Sequence, residues 1–275
     1  MPKTVELFTE RAISRAKEIC GKHLVSIYLF GGLASGEFTD DASDVDLLFI
    51  IDDRCPQEKK GKLEQALRSL EAKHGFLRLG QESPIFSIFA SRTALFKSHF
   101  ILRLQSLKNM DYVSMFYEGK GFDLPLGRIL FPFAPSKLVI RNILTNAKIL
   151  HGIDSIEALS PPSPSWSELN KAFLASLLMS IFGIFLSFIT KSGSRFSMEA
   201  FKWYILNTHS FFKGSSSSVK KACTFFRTSF FHTWIITSRF CKLRKCYSRS
   251  FTFNFIVPFY ITLFHMISSR SLTAH

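Results

Sequence analysis

A chain of 275 residues can hold one large domain or two small ones, and its net charge of +14 with a pI near 9.7 calls for anionic partners such as nucleotides, RNA or anionic lipid. Its five cysteines, Cys20, Cys55, Cys223, Cys241 and Cys246, form no Cys-x-x-Cys pair. That argues against a disulfide framework or a zinc site and for a reducing, cytoplasmic setting.

Glu6, Glu10, Arg11 and Arg15 interrupt the N-terminus, so no secretory leader is expected there. Val5, Phe8, Ala12, Ile13, Ala16, Ile19 and Cys20 recur at helical spacing and predict a helix over 4–22, capped by Thr4 and ended by Gly21. Apolar runs at 24–30 and 44–51 read as buried strands, the second broken by Asp52, Asp53 and Pro56. A second amphipathic helix is expected over 57–74, with Leu63, Ala66, Leu67 and Leu70 inward and Gly75 as its stop. Short strands at 76–79 and 85–90 follow, then a helix from Ser91 to about 107 and a strand at 112–117. This alternation predicts an α/β domain on a small mixed sheet.

The chemistry concentrates between residues 30 and 51. The first apolar run ends in Gly31-Gly32, a pair that permits a tight turn and close approach of backbone N–H groups to a ligand. If residues 33–36 open a short helix, Ser35 joins an N-terminal turn that favours phosphate. Asp44 and Asp46 lie two apart on the next strand, so both carboxylates leave one face. Two such groups repel unless a cation sits between them, and Mg²⁺ is the hard ion that combines carboxylates with phosphate oxygens.

Gly31-Gly32, the gap over 33–43 and Asp44-x-Asp46 in an apolar strand together resemble the signature of the nucleotidyltransferase superfamily, the polymerase-beta-like fold. The resemblance covers residues 1 to about 120 well and extends loosely to about 213. It implies a nucleotidyltransferase domain over 1–123 with a small mixed sheet, an α-helical acceptor-binding domain over 124–213, and a tail over 214–275. It also implies transfer of a nucleoside monophosphate from ATP or another NTP to a hydroxyl acceptor on a small molecule, a protein or RNA. In that reading Gly31, Gly32 and Ser35 bind the nucleotide, and Asp44 and Asp46 are the catalytic, Mg²⁺-holding pair. The family carries a third acidic residue on a later strand, yet 84–89 contains no Asp or Glu and only Glu82 lies nearby. A silent binding module, or an antitoxin paired with a partner toxin, is therefore the second reading.

Residues 125–213 change character. Pro125, Pro132 and Pro135 mark a linker, and a helix is expected over 136–150 with Lys137, Arg141 and Lys148 on one side, facing solvent or a triphosphate. His151-Gly152-Ile153-Asp154 stops it, and Ser165 or Ser167 starts the next helix. Residues 172–189 hold no charge, at the lower limit for a membrane span, with Ser176, Ser180, Gly183 and Ser187 as a small-residue stripe. In this setting they read as a central buried helix, followed by another over 196–212.

The end of the chain has a different composition. No Asp or Glu follows Glu199, and residues 215–275 contain only Val219, Ala222, Val257 and Ala274 of the five amino acids with G-initial codons. That shortage points to translation out of frame and to a tail without a packed core. Two other readings stay open. Cys241 to Phe251 mixes bases and aromatics as single-strand nucleic-acid binders do. Residues 251–267 are apolar behind a basic flank, as a membrane tail would be, although Pro258 interrupts them.

Overall fold

The computed structural model describes residues 3–36, 45–76, 99–111, 134–189, 193–215, 217–229, 233–246 and 251–273. The chain forms two compact units, residues 1–129 with 146–161, and residues 130–145 with 162–275. The boundaries therefore differ from a simple division at 123 and 213, because residues 146–161 return to the first unit.

In the first unit, α1 (Lys3–Cys20) buries Val5, Phe8, Ala12, Ala16 and Cys20 along one stripe. β1 (Leu24–Phe30) leads into a one-turn helix, α2 (Gly31–Ala34). β2 (Asp46–Ile51) is followed by α3 (Gln57–His74), which Gly75 ends in the left-handed conformation. Then come β3 (His99–Arg103), α4 (Leu104–Lys108) and β4 (Lys148–Gly152). The sheet order is β3-β2-β1-β4. β1 is antiparallel to β2 and to β4, whereas β2 and β3 are parallel, so the sheet is mixed as expected. Its pleat sends Ile27, Leu29, Leu47, Phe49, Ile51 and Ile101 into one core with α1 and α3. Tyr28, Phe30, Asp46, Leu48, Ile50 and Phe100 alternate with them onto the opposite face.

Two sequence expectations for this unit are corrected. The helix expected up to 107 gives way to a strand at 99–103 and a short helix at 104–108. His-Phe-Ile-Leu is buried beside a parallel partner, where both faces are covered and no alternation marks the strand. The helix expected over 136–150 stops at Asn146, and 148–152 becomes the edge strand β4. Gly152 makes that pairing close: at φ +86°, a β-carbon on it would lie 2.0 Å from the Val25 carbonyl oxygen. The strands expected at 85–90 and 112–117 lie outside the described residues.

The second unit is helical: α5 (Ser136–Asn146), α6 (Trp166–Ile189), α7 (Gly193–Lys213), α8 (Val219–Ser229), α9 (Trp234–Cys246) and α10 (Phe251–Thr273). Ser165 accepts the Glu168 N–H at 3.4 Å and caps α6, as read from the sequence. Arg141 is half-buried and spent on backbone. It donates to the Pro162 carbonyl at 2.8 Å and to the carbonyl of Gly214, tying α5 to two chain turns.

The tail contradicts the expectation of poor packing. Phe226, Phe240, Val257, Ile261 and Phe264 join Leu138, Phe201 and Tyr204 in one buried cluster. Helix α6 is likewise only partly the buried helix expected, since it exposes Leu178, Ile181, Phe185 and Phe188.

Candidate active site

β1 delivers the chain to its glycine pair. Phe30 is extended at φ −137°, and Gly31 then takes φ +70°. That region costs an L-residue roughly 1–2 kcal/mol and glycine almost nothing. Phe30 lies opposite Asp46 in the β1–β2 register, which sets the first residue of β2 beside the turn. The Asp46 carboxylate packs directly on Gly31: a β-carbon there would come 1.9 Å from Oδ2 and 2.8 Å from Cγ. Gly31 is thus required twice, for its backbone angle and for the space that the carboxylate occupies.

The turn is braced from within the unit. Ser35 donates its backbone N–H (3.2 Å) and its hydroxyl (3.0 Å) to the Gly31 carbonyl. Asn146 Nδ2 in turn donates to Ser35 Oγ at 3.0 Å. The Ser35 hydroxyl proton is therefore engaged by backbone. Gly32 is exposed at the start of α2, and amides in a first helical turn have no carbonyl partner inside the helix.

Gly31, Gly32, Ser35 and Asp46 accordingly gather in one corner of the first unit. Asp44 and Glu82 lie outside the described residues. Among the described residues no cluster of three or more His, Cys, Asp or Glu assembles. The half-buried Asp46 carboxylate, an oxygen donor held against bare backbone, fits a hard cation such as Mg²⁺.

β3 is the parallel neighbour of β2 on the side away from β1. Its Phe100 pairs with Leu48 and shares the Asp46 face, its ring 5.8 Å from that of Phe30. No residue of His99–Arg103 is acidic, so this strand supplies no third carboxylate.

The pleat turns His99 to the other face. There its buried Nδ1 lies 2.5 Å from Glu71 Oε1, and Nε2 is 3.5 Å from Glu64 Oε1, an ion-pair separation rather than a hydrogen bond. Burial works against the charged imidazole, but the two carboxylates outweigh it and raise the pKa above its ordinary value. This pair belongs to the core between sheet and α3. Sequence reasoning missed it, although Glu64 and Glu71, seven apart among the inward residues of α3, are the signal that was available.

Asn146 was also missed. Nothing local marks it, because its partner Ser35 is 111 residues away. His151-Gly152-Ile153-Asp154, expected to stop a helix, instead closes β4 and leads out of it. Asp154 accepts from Tyr28 Oη at 3.0 Å and from the Ile156 and Glu157 amides at 3.1 Å.

Residues 13–79 match the family model described as a nucleotidyltransferase domain. This stretch runs from α1 through the glycine turn and β2 to the end of α3, and it is similar to the nucleotidyltransferase superfamily that the motif resembles. No curated protein matches the chain. Among solved structures, the chain is similar to spectinomycin adenyltransferase from Enterococcus faecialis, crystallised with ATP and spectinomycin. The TM-score is 0.52 and the identity 11%, with 92% of this chain and 99% of that chain covered. At that identity the likeness speaks for the fold: a nucleotidyltransferase domain followed by helices. A match over 92% of the chain takes in most of residues 214–275.

Proposed function

We propose that the protein transfers a nucleoside monophosphate, AMP in the first instance, from an NTP to the hydroxyl of a small acceptor molecule in the cytoplasm. The observation that carries this reading is the contact of the Asp46 carboxylate with Gly31 at the mouth of a strand–turn–strand. In it, the Gly31 and Gly32 amides hold the terminal phosphates, and the Ser35–Asn146 brace keeps the turn in shape. Asp44 and Asp46 would hold Mg²⁺. That ion, when bound, neutralises phosphate oxygens and the leaving pyrophosphate. The acceptor hydroxyl attacks the α-phosphorus in line as the bond to pyrophosphate breaks. The ligands of the similar structure, ATP and spectinomycin, make ATP the donor to try first and a hydroxylated small molecule the acceptor class.

Isothermal titration with ATP and Mg²⁺ tests the site. Wild type is expected to bind, and Asp44→Asn and Asp46→Asn to bind at least about tenfold more weakly. Absence of binding, or equal binding by the variants, refutes the assignment. A second reading is favoured by Phe100, the apolar residue that β3 places on the Asp46 face. A family member without a third carboxylate binds nucleotide and transfers nothing. Label transfer from α-labelled ATP to spectinomycin, other hydroxylated small molecules, protein or tRNA separates the two. Label on an acceptor establishes the enzyme, whereas ATP binding without transfer establishes the binding module.

A further inference from the structure

The charge of this protein is divided very unevenly. Residues 130–145 and 162–275, the second unit, hold 16 of the 35 Lys and Arg but only 2 of the 21 Asp and Glu. The first unit keeps 19 of each and is neutral. The whole +14 therefore belongs to the helical unit. Its two acids are already engaged: Glu168 accepts from the Lys137 amide at 2.7 Å and from Lys171 at 3.2 Å, and Glu199 pairs with Lys202.

The same unit carries an uncovered apolar face. Helix α6 exposes Leu178, Ile181, Phe185 and Phe188, a single stripe at successive steps of three and four. Phe185 and Phe188 are 64% and 66% exposed. Helix α10 continues the stripe with Phe255 and Phe259, the Phe188 and Phe255 rings meeting edge to face at 6.3 Å. A contiguous aromatic and aliphatic patch of this kind marks an interaction surface rather than scattered exposure.

We infer that this face docks on an anionic lipid bilayer. Such a surface satisfies both features at once, taking the apolar stripe into its acyl boundary and the basic side chains at its headgroups. A nucleic acid offers charge and stacking but nothing that Leu178 and Ile181 would gain from. A second copy of the chain would bring one strongly positive unit against another. The helix lies on the membrane instead of crossing it. Its 24 residues measure about 36 Å, enough for a span. Its inward side, however, is committed to the protein core through Leu169 and Ala172, and the Ser180 carbonyl accepts from Ser197 Oγ at 3.3 Å.

The test is co-sedimentation of the full chain with vesicles. Vesicles of phosphatidylcholine with about 30 mol% phosphatidylserine are compared with phosphatidylcholine alone, at about 0.1 M and about 0.5 M salt. Binding to the anionic vesicles is expected to be at least about tenfold tighter and to fall at high salt. The variant Phe185→Ser/Phe188→Ser is expected to lose at least about tenfold in binding while melting as wild type, since both residues are exposed. No sedimentation, equal binding to neutral vesicles, or unchanged binding by the double variant overturns the inference. Resistance to alkaline carbonate extraction overturns it in favour of a span. Retention of poly(U) with no vesicle binding overturns it in favour of nucleic acid.

Discussion

Gly31 and Gly36 make a controlled pair. Both adopt positive φ, +70° and +78°, so alanine at either meets the same backbone strain of roughly 1–2 kcal/mol. Only at Gly31 does the new methyl meet anything: Asp46 Oδ2 at 1.9 Å, against nothing within 4 Å at Gly36. Expelling the carboxylate adds on the order of 1–3 kcal/mol of overpacking. Gly31→Ala is therefore expected to destabilise by about 3 kcal/mol and Gly36→Ala by about 1 kcal/mol. Asp46→Ala removes Oδ2 and Cγ and leaves only a Cβ contact of 3.1 Å. The double variant Gly31→Ala/Asp46→Ala should then recover the steric part, a coupling of about 1–2 kcal/mol. Urea unfolding followed by far-ultraviolet circular dichroism measures the cycle. Titration with ATP and Mg²⁺ supplies the functional arm, in which Gly31→Ala loses at least about tenfold and Gly36→Ala under about threefold. Additivity within about 0.5 kcal/mol, or equal loss of binding by both alanines, would show that Asp46 does not occupy the space beside the turn.

The buried His99 gives a pH signature. Because its pKa is raised by Glu64 and Glu71, its stabilisation is complete below about pH 6.5 and is lost as pH climbs through the raised value. His99→Gln should cost about 3 kcal/mol near pH 6 and progressively less toward pH 9, read as the gap between wild-type and variant melting curves; a gap that widens with pH refutes the pairing. Burial pushes the Cys20 thiol up to about 11 and raises Cys55 as well. Iodoacetamide at about pH 8 should therefore label the part-exposed Cys241 first and reach Cys20, Cys55 and Cys223 only after denaturation, as mapped by peptide mass spectrometry. Fast alkylation of native Cys20 would contradict the burial.

The first unit was legible where one element decided its own state. The helix over 57–74 follows from inward Leu63 and Leu67 and the stop at Gly75, and the strands on either side of Gly31-Gly32 from their apolar runs. The two misread segments depend on partners. His99–Arg103 is a strand because β2 lies beside it, and Lys148–Gly152 because β1 takes it as an edge. Neither partner is near in sequence, and a run buried on both faces has no period to betray it. In the site, Gly31 and Asp46 were readable because spacing alone brings the end of one strand to the start of the next. Asn146 and His99 were not, since each acts through a residue far along the chain.

In the tail, composition and position point in different directions. Its shortage of Asp, Glu, Gly and Ala suggested an unselected reading frame, yet its residues are sorted by burial. In α8, Val219, Ala222, Cys223 and Phe226 are buried at helical spacing while Lys220, Lys221, Thr224 and Arg227 are exposed. Two buried hydroxyls farther along are paired with backbone: Thr233 donates to the Phe226 carbonyl and Ser268 to the Phe264 carbonyl, both at 2.8 Å, whereas Ser238 Oγ is buried without a partner among the described residues. Phe226 has its ring 4.7 Å from that of Phe264 and is fully enclosed. Phe226→Ala should therefore destabilise the second unit by about 3–5 kcal/mol, while Arg227→Ala one position on stays within about 0.5 kcal/mol. Tryptophan fluorescence reports on this unit specifically, because Trp166, Trp203 and Trp234 all lie in it. Identical urea midpoints for the two variants would mean that these helices carry no core, and the out-of-frame reading would regain its force.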